Sequence, residues 1–181
     1  MNWIKKNWGN LLWGIFFIMI LIPQTGTPIK VFMNRILAFS PSIEALSDRK
    51  TLQDYNWVLR DAQGKTVNLK DYRGKKIIIN FWATWCPPCI AEMPSMQALY
   101  DDFGEETVFL FVTSDDKGSI EKFMAKHKYS LPIYEPLSVR PEVLSGNSLP
   151  TTFFIDEAGT ILIHKIGSAD WNSQKVRALL E

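Results

Sequence analysis

A nearly unbroken apolar run, Ile77-Ile78-Ile79-Asn80-Phe81-Trp82, stops just short of Cys86-Pro87-Pro88-Cys89. A short run rich in β-branched residues is the pattern of a central buried strand. A helical stretch follows from about Pro88 to Phe103, so the cysteine pair stands where a strand hands over to a helix. At a helix start the unpaired backbone N–H groups and the positive dipole end favour negative charge. A thiolate is stabilised there, its pKa falls, and it becomes the attacking species at neutral pH. Two intervening residues let the second sulfur reach the first, so a mixed disulfide can be resolved within one chain. Cys86, at the outer end, is expected to attack, and Cys89, one helical turn on, to resolve.

The chain has 181 residues and only these 2 cysteines, so it cannot build a disulfide framework. Three plainer readings compete with redox chemistry. Zinc needs four ligands, and the only histidines, His127 and His164, lie far off with no ligand spacing. A purely structural disulfide would close a very small loop, where the chain-entropy benefit is least. Two inert thiols are the third. Redox activity is the strongest of the four.

Around this motif the texture is globular from Thr51 onward. Asn56–Arg60 and Thr66–Leu69 flank Asp61-Ala62-Gln63-Gly64-Lys65, a hairpin with Gly64 supplying the turn. Thr107–Thr113 reads as a second buried strand and Ser119–Lys128 as an amphipathic helix. Thr151–Asp156 and Thr160–Lys165 form a second hairpin, and Asp170–Leu180 closes the chain as a helix. The order ββ-βαβα-ββ-α describes an α/β fold, a mixed central β-sheet flanked by helices. Asp115, Asp116, Glu121 and Lys122 read as solvated surface, and neither histidine is assigned a role. A net charge of +1 argues against nucleic acid as a main partner.

The N-terminus carries a different signal. Lys5 and Lys6 precede Leu11–Ile22, which has no polar side chain. Twelve helical residues cover only about 18 Å, so spanning a hydrocarbon core of roughly 30 Å needs a helix from Trp8 to Gly26. A cleaved signal peptide is the rival, but no Ala-x-Ala-like site follows the run. Either reading sends the remainder of the chain across the membrane. The expected organisation is an anchor over 1–28, a juxtamembrane amphipathic segment and linker over 29–50, and a globular domain over 51–181. On a helix Phe32, Ile36 and Phe39 share a face, which suits a segment lying on lipid or a stalk packed on the domain.

The segment Asn80-Phe81-Trp82-Ala83-Thr84-Trp85-Cys86-Pro87-Pro88-Cys89-Ile90-Ala91-Glu92-Met93-Pro94 resembles the active-site segment of the membrane-anchored TlpA/ResA-like branch of the thioredoxin superfamily. Leu149-Pro150-Thr151-Thr152-Phe153-Phe154-Ile155-Asp156 resembles the family's cis-proline strand, and Asp61–Leu69 its N-terminal hairpin. The resemblance covers residues 51–181 and implies a thioredoxin-like fold with an N-terminal β-hairpin extension and an N-terminal membrane anchor. It implies that Pro150 is a cis-proline facing the cysteines, with Leu149 offering backbone groups to an extended substrate. It makes Trp85 the apolar shoulder beside Cys86 and sets Pro87 and Pro88 at the client surface. Glu92, one turn after Cys89, becomes an acid that tunes the proton traffic of the pair, the alternative being a solvated first-turn glutamate. Pro94 is expected to kink the helix. Asn80 is a departure from thioredoxins proper, which usually carry a buried Asp there; an amide cannot relay protons.

The function implied is thiol–disulfide exchange with envelope client proteins in the periplasm or another extracytoplasmic space. No cofactor is expected beyond the cysteine pair. The branch implies a reductant, for example in cytochrome maturation, fed by a membrane thiol-electron transporter. The double proline agrees, because neither central residue offers an N–H to the Cys86 sulfur. A peroxiredoxin-like peroxidase is the first alternative. Its motif needs Thr or Ser three residues before the cysteine and Pro seven before, where this chain has Ala83 and Ile79. A non-catalytic binding module or metallochaperone is the second; both cysteines are retained, and no Met or His ligands stand beside them.

Overall fold

The computed structural model describes residues 7–14 and 23–181. Residues 7–14 form helix α1, and α2 spans Pro23–Ile36. The globular part runs β1 (Val58–Asp61), β2 (Thr66–Asn68), β3 (Ile77–Phe81), α3 (Pro87–Phe103), β4 (Val108–Val112) and α4 (Lys117–His127). It continues through β5 (Ile133–Pro136), β6 (Thr151–Ile155), β7 (Ile161–Ile166) and α5 (Gln174–Leu180). The strands make one sheet in the order β2-β1-β5-β4-β3-β6-β7. β3, β4 and β5 are parallel, and β6, β7, β1 and β2 extend the sheet antiparallel on either side. This is the thioredoxin-like α/β fold with a hairpin extension.

Strand periodicity decides what faces the reactive helix. Ile77, Ile79 and Phe81 enter one core with Leu110 and Phe153. Ile78 enters the other, with Phe111, Phe154 and the α3 residues Met93, Met96 and Leu99. Successive side chains on a strand point to opposite faces, so Asn80 shares the face of Ile78. β3 therefore aims one amide at α3 from an otherwise apolar surface.

The first hairpin turns as expected, with Gly64 at φ +86°, a conformation natural only to glycine. Asp61 Oδ1 also accepts the N–H groups of Gln63 at 3.0 Å and Lys65 at 2.8 Å. The element order needs one correction, because β5 was not expected. It lies between Pro132 and Pro136, and prolines that cannot donate to a ladder make such a run read as loop. Tertiary pairing overrides that bias, since β5 joins β4 on one side and β1 on the other and so ties the hairpin extension to the main sheet. α4 also begins two residues early, its N-cap Asp116 accepting from Ser119 N at 2.9 Å. Pro94 lies inside α3, which runs unbroken through it.

The expected anchor helix, Trp8 to Gly26, falls partly on residues 15–22, outside the described residues. Among the described residues no helix is long and apolar enough to cross a membrane. α2 starts at Pro23, earlier than the boundary at 28/29, and packs against α3. Residues 40–50, expected as a linker, lie along the domain. Glu44 N donates to Leu162 O at 2.8 Å, and Ile161 N to Lys50 O at 2.8 Å. Those groups on β7 would otherwise form an open sheet edge, which proteins tend to cover.

Candidate active site

Cys86 is the N-cap of α3, and Pro87 and Pro88 fill its first two helical positions. Proline suits that place because its ring fixes a helical φ and the N–H it lacks would have no intrahelical partner. The two cysteines form a disulfide with Cα atoms 5.2 Å apart. Cys86 keeps 4 % of its surface exposed and Cys89 none. Neither central proline gives the Cys86 sulfur a donor, as expected from their missing N–H. The third helical position supplies one, Cys89 N donating to Cys86 Sγ at 3.3 Å.

Glu92 is not a solvated first-turn residue; 1 % of its surface is exposed. Its Oε2 accepts from Trp171 Nε1 at 2.9 Å and Ala169 N at 3.2 Å, and its Oε1 from Asn80 Nδ2 at 2.8 Å. Burial pushes the carboxyl up to about 7, and the Trp171, Asn80 and Ala169 donors and the charge of Lys165 pull against that rise. Near neutral pH this group is therefore poised between its two forms, and the charge expected beside the cysteines is present only in part.

Asn80 is more than a departure from a pattern. Its Nδ2 donates to Glu92 and, at 2.7 Å, to Thr152 Oγ1 on the paired strand. Its Oδ1 has no partner among the described residues. Rotating the amide by half a turn would present Oδ1 to a protonated Glu92, so the same side chain can serve either protonation state.

Trp85 and Leu149 line a groove of about 400 Å³ together with Trp57, Phe81 and Trp82. Trp85 is 70 % exposed. The Leu149–Pro150 peptide bond is cis, Pro150 is buried, and its carbonyl accepts from Gly167 N at 2.9 Å.

Asp115, expected as solvated surface, instead holds the loop that precedes Cys86. Its Oδ2 accepts from Thr84 N at 2.6 Å and Thr84 Oγ1 at 2.7 Å, and its Oδ1 from Trp85 Nε1 at 3.1 Å. A sequence signal for it exists. Phe81 and Val112 pair in parallel, and Thr84 and Asp115 each lie three residues further along their chains. Parallel neighbours end side by side, and sites gather at that edge. Trp171 and Ala169 carried no such signal. Asp115→Ala is expected to leave the Thr84 N–H without its partner and to lower stability by about 1–3 kcal/mol. Amide exchange at Thr84 and Trp85 should rise and exchange with protein clients slow several-fold. Unchanged exchange rates at those amides would remove Asp115 from this role.

The AhpC/TSA family model matches residues 51–163. The thiol-disulfide oxidoreductase ResA of Halalkalibacterium halodurans is 31% identical over 139 residues, 71% of this chain and 74% of that protein. That of Geobacillus thermodenitrificans is 34% identical over 131 residues, 70% and 73% of the two chains. Among solved structures, the exposed lipoprotein thioredoxin of Streptococcus pneumoniae superposes with a TM-score of 0.55 at 28% identity, covering 67% of this chain and 97% of that one. A putative thiol:disulfide interchange protein DsbE from Chlorobium tepidum gives 0.59 at 23% identity, covering 71% and 94%, and speaks to the fold. A family match across the whole strand–Cys86–Cys89–helix unit and the cis-proline strand, joined to relatives that share most of their length, leaves one assignment: the chain belongs to the AhpC/TSA family, among its thioredoxin-fold, ResA-like thiol-disulfide oxidoreductases.

Proposed function

We propose that this oxidoreductase reduces disulfides of client proteins on the outer side of a bacterial inner membrane. The observation that carries the reading is the Cys86–Cys89 pair at the N-terminus of α3, the first residue keeping a small exposed area and the second fully buried. The Cys86 thiolate attacks a client disulfide, forming a mixed disulfide and expelling one client thiolate. The Cys89 sulfur then attacks Cys86, giving the intramolecular disulfide and releasing the second client thiolate. Two electrons pass to the client, and no cofactor beyond the cysteines takes part. Glu92 handles the proton that Cys89 gives up. The Trp85–Leu149 groove, with Pro87, Pro88 and Pro150, receives the client chain.

The reducing direction is supported by Pro87 and Pro88, which offer the Cys86 sulfur no N–H and leave it, among the described residues, the Cys89 N–H as its backbone donor. Less thiolate stabilisation gives a less favoured dithiol and a more reducing couple. The outward location is supported by the apolar run behind Lys5 and Lys6, which anchors the chain in lipid. A membrane thiol-electron transporter resupplies the electrons, and cytochrome maturation is a process with suitable clients.

The test is equilibration of the full chain with glutathione, paired with insulin reduction. A midpoint more negative than about −180 mV, the protein disulfide isomerase value, and insulin precipitation lost in Cys86→Ala are expected. A midpoint near about −120 mV would make it an oxidant. Rapid consumption of hydrogen peroxide without insulin reduction would favour a peroxidase, a reading that Ala83 and Ile79 oppose.

A further inference from the structure

α2 has two faces with opposite fates. Its half-buried positions Thr27, Val31 and Asn34 recur at helical spacing, with Ile29 also half-buried, and α2 packs against α3, where Arg35 and, just past the helix end, Ala38 line a cleft with Ala91, Pro94, Ser95 and Ala98. Phe32, Met33 and Ile36 on the helix, and Leu37 and Phe39 just beyond its end, are each 50 % to 74 % exposed. Five large apolar side chains together on one short stretch form the kind of patch that soluble surfaces avoid. α2 is also fixed at its far end. Asp170 N donates to Phe39 O at 3.1 Å, and Ser40 Oγ meets Ser173 Oγ at 2.9 Å.

The occupant of this face follows from what precedes it. Leu11–Ile22 is apolar throughout, and α2 begins at the next residue, Pro23. No spacer separates them, and Phe32 lies only ten residues beyond Ile22, about 15 Å at helical rise. Where the apolar run enters a bilayer, Phe32 is held within that distance of it. Lys30, exposed on the same helix, carries charge that anionic headgroups attract.

We infer that α2 and the turn that follows it lie on the lipid surface through Phe32, Ile36 and Phe39 while the other face of α2 holds α3, so that the bilayer orients the reactive domain rather than merely tethering it. This rests on the anchoring of Leu11–Ile22 proposed above. The disulfide opens α3, which neighbours α2 at a helix–helix spacing of about 8–10 Å. Cys86 is thus carried on the helix that α2 holds and meets client disulfides presented beside the bilayer.

The test places benzoylphenylalanine, one site at a time, at Phe16, Phe32, Ile36, Phe39 and Lys122 of the full chain in vesicles of phosphatidylcholine and phosphatidylglycerol with radiolabelled lipid. Lys122 is an exposed position on α4 and reports background. Lipid labelling at 32, 36 and 39 several-fold above that at 122 is expected. Labelling at 16 with background values at 32, 36 and 39 would overturn the docking and leave the anchor standing. Background at 16 with strong labelling at 32, 36 and 39 would uphold the docking and remove the anchor. Background at all four would sink both.

Discussion

Cys89→Ala is expected to accumulate mixed disulfides with client proteins, and Cys86→Ala to accumulate almost none. Both substitutions should abolish steady-state exchange, because each removes one half of the two-electron couple. They differ in what they strand. Cys86 is the N-cap and the only one of the two sulfur-bearing residues with exposed surface, 4 % against 0 % for Cys89. The small exposed area belongs to Cys86 while Cys89 is closed off, so a client disulfide meets Cys86 first. The backbone N–H of residue 89 is kept in the alanine variant, so its hydrogen bond to the Cys86 sulfur survives. A bond of that kind to a charged acceptor contributes about 1.5–3 kcal/mol, which keeps Cys86 reactive while resolution is blocked. Diagonal gels of trapped cells read the result directly, and adducts on Cys86→Ala instead would reverse the assignment of the two thiols.

Glu92→Gln is expected to change the pH dependence of both stability and redox potential. In the disulfide form the cysteines do not titrate, so stability isolates the carboxyl. Its ordinary value is 4.5 and burial pushes it to about 7 in the folded chain. Below 4.5 both states are protonated and the group contributes nothing. Between these values the folded state holds the proton more tightly, so stability falls as pH rises. Above 7 a penalty of about 3 kcal/mol stays in place. Glutamine removes it, and Asn80 can turn its amide to receive the new N–H₂ on its unpartnered Oδ1. The variant should therefore gain on the parent by about 3 kcal/mol between pH 4 and pH 8 in urea unfolding. A gap between the two proteins that stays constant across that range would show that Glu92 does not titrate as described.

In the dithiol form the same charge disfavours a neighbouring thiolate. Removing it should lower the cysteine pKa values and raise the midpoint potential at pH 8, where Glu92 is ionised, and do little at pH 5.5. One pK unit of altered interaction is about 1.4 kcal/mol, or roughly 30 mV for this couple. Equal shifts at both pH values would point to packing instead of charge.

The parts of the site that were legible in the sequence lie close together in the chain. A buried strand, a short loop and a helix opening on Cys86-Pro87-Pro88-Cys89 fit in fewer than thirty residues, and local rules of periodicity and helix termini suffice to read them. β5 escaped because its flanking prolines speak locally for a loop, while its pairing with β4 and β1 is a long-range matter. Asp115 escaped because an acid after a strand is ordinarily solvated, and only the side-by-side ending of β3 and β4 brings it to Thr84.

The sequence by itself determined the place of the cysteine pair at a helix start and the sheet-and-helix class. Only the tertiary structure decided the state of Glu92. One turn after Cys89 says where its side chain begins, but not that Asn80 from β3 and Ala169 and Trp171 from the far end of the chain close over it. A carboxyl's proton affinity depends on the water it loses and the donors it gains. Both are set by segments up to 79 residues away in the chain, which no local pattern records.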